Sequence, residues 1–139
     1  MPAIRSSILA LVVALALALA FVLGAPGSAS AQAPGFKRTE LARHDLAAAG
    51  REAVIARGEF AAGAAPPRHT HPGDELGYVL AGELTVEIDG APPVKLVAGD
   101  TFFVPAGAIH TARNTGKLPA VAISTYIVEK GKPLATPVK

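Results

Sequence analysis

The 139-residue chain contains no cysteine. That removes a disulfide framework, a lipid-anchored cysteine at the N-terminus and any thiolate metal ligand. Charge of one sign is also missing: Lys and Arg total 13 against 11 Asp and Glu. With no basic run and no ladder of aromatic and basic residues, nucleic acid is not an expected partner. Helix-forming stretches are scarce. Residues 40–50 form the one segment compatible with a helix, and its Ala47-Ala48-Ala49-Gly50 end reads equally well as a loop.

A long apolar run is present, but only near the start. Residues 8–23 are sixteen apolar residues following a single positive charge, Arg5. Gly24, Pro26 and Gly27 then break any helix, and Ala29-Ser30-Ala31 supplies the small residues of a peptidase site. Residues 1–31 are therefore expected to be a cleavable export signal. Cutting after Ala31 is favoured over Ala33, which would leave Pro34 at the new terminus. The competing reading is a retained anchor, although sixteen residues fall short of the ~20 that span a bilayer. A lone Arg5 argues against twin-arginine export. Export to the periplasm or medium without stable membrane association follows. The remaining chain is nearly neutral and large enough for one modest core.

Beyond residue 31 the expected order is a linker or arm over 32–50, a folded body over 51–130 and a flexible tail over 131–139. The body consists of short strand-like runs between Gly and Pro. Residues 83–89 alternate cleanly, with Leu84, Val86 and Ile88 on one face and Glu83, Thr85, Glu87 and Asp89 on the other. Asp89-Gly90 turns the chain into a partner strand at 94–97. Eight or so such strands make an all-β antiparallel sandwich or barrel. The strand at 52–60 is expected at an edge, where it pairs across a two-fold axis in a homodimer.

The chemistry is concentrated in two segments. His69 and His71 stand two apart, so on a strand they point to one side. Pro72-Gly73 turns the chain, and Glu75 opens the next strand beside them. His110 follows a Pro105-Ala106-Gly107 turn in the second segment. An isolated His-x-His pair is often a chance pair on a loop. Here the surrounding positions match a pattern.

Gly63, His69, His71, Glu75 and Gly82, then Gly99, Pro105, Gly107, His110 and Asn114, resemble the two cupin motifs at every specified position. Sixteen residues separate the motifs, as in the smallest bacterial cupins. The resemblance implies a conical antiparallel β-barrel, jelly-roll-like (a double-stranded β-helix), with one metal ion inside on His69, His71, Glu75 and His110. Three imidazoles and a carboxylate suit a divalent transition metal: Fe, Mn, Cu, Ni or Zn. Two function classes stay open. One is a metal-dependent dioxygenase of the quercetinase-like sort, acting on a small phenol or enediol with Glu75 as catalytic base. The other is a non-catalytic module that binds a small ligand or keeps the metal for structure. Strand alternation puts Gly77, Val79, Ala112 and one of Phe102 or Phe103 beside the metal, and turns Tyr78, Arg113 and Arg68 away, the last towards a salt bridge. His44 is expected at the surface, and Asn114 to bond turn backbone.

Overall fold

The computed structural model describes residues 32–139; the expected signal at 1–31 lies outside them. The strands are β1 (Phe36–Asp45), β2 (Arg51–Phe60), β3 (His69–Thr70), β4 (Gly73–Ala81), β5 (Glu83–Ile88), β6 (Val94–Val97), β7 (Thr101–Val104), β8 (His110–Arg113), β9 (Ala120–Glu129) and β10 (Thr136–Pro137). They form two five-stranded antiparallel sheets, ordered β1-β2-β9-β4-β7 and β10-β3-β8-β5-β6. The fold is all-β, as expected.

Alternation along each strand defines the interior. On β4, Gly73, Glu75, Gly77 and Val79 are buried while Leu76, Tyr78 and Leu80 face out. On β9 the inward set is Ala120, Ala122, Ser124, Tyr126 and Val128. One apolar cluster joins Phe60, Val79, Leu84, Val86, Leu96, Ala120 and Ala122 across both sheets. A second joins Val54, Ala56, Tyr126 and Val128. Gly77 stands opposite Phe102 across the β4–β7 pair, and a Cβ at that glycine would fall inside the Phe102 ring. Glycine is needed there for the close approach of an aromatic.

Three expectations are corrected. Residues 40–45 are strand, not helix: β1 pairs with β2 from Phe36↔Phe60 to Asp45↔Glu52, with an irregularity at Leu41. Tertiary pairing overrides the weak helical propensity of this Ala-containing stretch. Only the following segment is the loop that the alternative reading allowed, and Gly50 closes it at φ +72°. Consequently β2 lies between β1 and β9 and offers no free edge for a dimer. Lastly, the C-terminal residues are not a loose tail. Gly131 reverses the chain at φ +79°, and Thr136 and Pro137 pair with Thr70 and His69.

Candidate metal centre

His69 and His110 are direct cross-strand partners on β3 and β8. His71 lies just beyond β3, and Glu75 enters from β4 in the opposite sheet. All four are buried. One ring nitrogen from each histidine falls within 4.8 Å of the others, and ring centroids are 4.4–4.9 Å apart.

The other ring nitrogens decide the tautomers. His69 Nδ1 meets the Pro67 carbonyl at 2.8 Å, His110 Nδ1 that of Ala108 at 3.0 Å, and His71 Nδ1 that of Leu134 at 2.5 Å. A carbonyl only accepts, so each Nδ1 carries the proton and each neutral ring keeps its Nε2 lone pair. Glu75 Oε2 lies 3.1 Å from His71 Nε2 and 3.3 Å from His110 Nε2. With its proton on Nδ1, His71 cannot donate to that carboxylate, and its buried Nε2 is left without a partner. A buried, unpartnered Nε2 among two further imidazoles and a carboxylate is what a divalent cation would satisfy.

The electrostatics agree with this arrangement. Burial drives the His69 pKa down to about 4, with His110 and His71 adding repulsion, so the ring is neutral at ordinary pH. Burial alone would raise Glu75, and hydrogen bonds from His110 and His71 would lower it; with both Nε2 atoms bare, a bound cation would take over that stabilisation of the carboxylate. Tyr126 is pushed above the ordinary phenol range by burial and then by the Glu75 charge.

The flanking residues divide as alternation predicts. Val79 is fully buried; Phe102 and Ala112 pack against the larger apolar cluster, while Phe103 is 54% exposed. Arg68 pairs with Asp89, and Arg113 donates to the Gly63 carbonyl at 3.2 Å. His44 is exposed. Tyr78 faces outward as expected and is 45% exposed. Asn114 bonds only turn and strand backbone. Sequence reasoning missed Ser124 and Tyr126. They stand across from Gly77 and Glu75 on β9, and the Tyr126 ring meets the His71 ring at 4.7 Å. The period-two pattern of β9 was readable, but the choice of its inward face needed the pairing to β4.

Residues 56–126 match the cupin domain family. The chain belongs to the cupin family. It is 36% identical over 77 residues to nectarin-1 of Nicotiana langsdorffii x Nicotiana sanderae, covering 52% of this chain and 34% of that protein. It is 43% identical over 47 residues to the dimethylsulfoniopropionate lyase DddQ of Ruegeria pomeroyi, covering 34% of this chain and 23% of the lyase. Among solved structures, this cupin is similar to oxalate oxidase in complex with the substrate analogue glycolate. There the TM-score is 0.62 and identity 31%, over 76% of this chain and 57% of that one. The chain spans about a third of the length of the plant relatives it matches.

Proposed function

We propose that His69, His71, His110 and Glu75 hold one divalent transition metal, and that the protein is a metal-dependent enzyme acting on a small, oxygen-rich molecule. The observation that carries this reading is the buried convergence of three Nε2 lone pairs, with that of His71 unpartnered. A bound metal would supply a Lewis-acidic or redox centre that organises substrate oxygens. The chain's own part is limited and clear. The carbonyls behind each Nδ1 hold the imidazoles in place, and the apolar side chains of Val79, Val104, Phe102 and Ala112 keep water out. Glu75, an anion with no lysine or arginine paired to it among the described residues, is the base for a substrate hydroxyl.

The substrate class offers two neighbouring oxygens. Phenols and enediols fit the quercetinase-like reading; short hydroxy acids and dicarboxylates are favoured by the likeness to oxalate oxidase bound to glycolate. Oxygen uptake with such a panel, after loading Fe, Mn, Cu, Ni or Zn in turn, tests both. Glu75→Gln should keep much of the metal yet lower turnover by ~10²–10⁴-fold, the usual scale for removing a general base. Unchanged turnover in that variant would remove Glu75 from catalysis. Metal binding without turnover on any substrate would favour the non-catalytic module.

Export and dimerisation complete the proposal. Residues 1–31 have the pattern of a cleaved signal, and exported protein is expected to begin at Gln32 by intact mass. For the dimer, the outer face of β4, β7 and β9 takes over from the β2 edge. Leu76, Tyr78, Leu80, Phe103 and Ile127 are 39–54% exposed there. Side chains of about 150–250 Å² leave roughly 500 Å² of apolar surface, most of the ~800 Å² per partner that a stable interface buries. The outer face of the other sheet instead carries Glu83, Thr85, Glu87, Lys95 and Arg113. Light scattering should give a dimer that Phe103→Lys converts to monomer.

A further inference from the structure

The three histidines are braced in two different ways. His69 and His110 each give their Nδ1 proton to a carbonyl two residues earlier, so their orientation is set locally. His71 gives its proton to Leu134, 63 residues away, in the last segment of the chain. That segment is firmly seated. Gly131 turns it back at φ +79°, and Leu134 packs against the cluster of Val54, Ala56, Tyr126 and Val128. Thr136 and Pro137 pair with Thr70 and His69, and the Val138 N–H donates to the Arg68 carbonyl at 2.8 Å. The anchors therefore bracket Leu134 and run along the strand that carries His69 and leads into His71.

We propose that residues 131–139 form a positioning strap for the metal centre, with the Leu134 carbonyl fixing the tautomer and orientation of His71. The proposal rests on the metal-binding reading and names an element of the site that neither motif contains. Without the strap, His71 Nδ1 loses its acceptor and the ring is free to turn or to change tautomer. Metal affinity should fall by the 10–100-fold typical of losing a partner behind a metal-binding imidazole. The local braces of His69 and His110 would remain.

Co(II) serves as the probe, with the full chain and its variants. Leu134→Asp puts a charge into the apolar seat and should lift the strap. Its Co(II) dissociation constant, from chelator competition, should rise 10–100-fold, and the Co(II) absorption spectrum, which reports the ligand sphere, should change. Leu134→Met keeps the apolar anchor and should restore both. In a His71→Ala background, Leu134→Asp should cause no further loss of affinity, because the strap acts through that ring. Circular dichroism and melting in chelator follow the fold separately. Should Leu134→Asp unfold the chain, the milder Leu134→Ala takes its place, with the same spectral change and a smaller rise in the constant. A lower melting point with unchanged Co(II) affinity and spectrum would overturn the proposal by making the segment merely structural. A wild-type chain that takes up no Co(II), Mn(II) or Zn(II) would instead overturn the metal reading, and the strap with it.

Discussion

Replacing Asn114 separates architecture from chemistry within the second motif. The side chain is fully buried and uses its whole polar group. Nδ2 donates to the Phe60 carbonyl at 3.0 Å and the Leu118 carbonyl at 2.8 Å, and Oδ1 accepts from the Gly116 N–H at 2.9 Å. Asn114→Ala removes three hydrogen bonds and leaves two carbonyls and one N–H to find other partners. At ~1 kcal/mol per bond, plus part of the desolvation cost of the stranded groups, the loss is about 3–5 kcal/mol. For a domain of this size that lowers the melting temperature by about 15–25 °C. Asn114→Asp should be worse, because a carboxylate presents acceptors to two carbonyls and buries a charge. Denaturant unfolding measures the loss, and metal titration of the folded variant at low temperature should match wild type, since none of the three bonds reaches an imidazole. A loss under 1 kcal/mol, or metal affinity falling while stability holds, would refute the reasoning.

Other substitutions probe neighbouring parts. His71→Ala should lower metal occupancy and melting temperature together, while the exposed His44→Ala changes neither; equal metal loss in both would mean the ligands are wrongly assigned. Gly77→Ala should destabilise by about 1–3 kcal/mol through the collision with Phe102, and Phe102→Leu in the same chain should recover part of it. Acid should weaken the metal-free protein through His69, whose pKa is about 4 folded and 6.5 unfolded. The unfolded chain takes up the proton first as pH falls, so this contribution is complete above pH 6.5 and disappears between 6.5 and 4. Urea midpoints across that window should fall in wild type and flatten in His69→Gln, and parallel slopes would exclude His69 as the cause.

How far the site was legible depended on how local its determinants are. His69, His71, Glu75 and His110 could be read because short-range rules place them: alternation on a strand, a Pro-Gly turn, a Pro-x-Gly turn. The outward direction of Arg68, Tyr78 and Arg113 followed from the same parity. Between Phe102 and Phe103 the choice stayed open, and the pairing of Gly77 with Phe102 resolves it. What depended on remote partners was missed. β1 looked helical because nothing within it announces its pairing to β2, and Ser124 and Tyr126 became part of the site only through register with β4. The C-terminal segment, rich in Pro and Lys, looked disposable. Its order comes from a seat formed by Val54 and Tyr126 and from the backbone of residues 68–70.

The four proposed ligands do not belong to one sheet, and that ties chemistry to stability. His69 and His110 belong to the sheet of β3 and β8, and Glu75 to that of β4 and β7, with His71 at the crossing between them. A cation held by all four would join the two sheets at the point where the interior is polar rather than apolar. Empty, that point holds three imidazoles and a carboxylate whose desolvation opposes folding. Filled, the same groups add the binding free energy to the fold, as RT ln(1 + [L]/Kd), or about 4 kcal/mol at a thousand-fold excess over Kd. The apolar cluster of Leu84 and Val79 spans both sheets, whereas that of Val54 and Val128 packs β2 and β9 of one sheet against Leu134. A barrel this small could therefore place polar ligands in its interior, because an ion bound by them would replace the apolar contact that they displace.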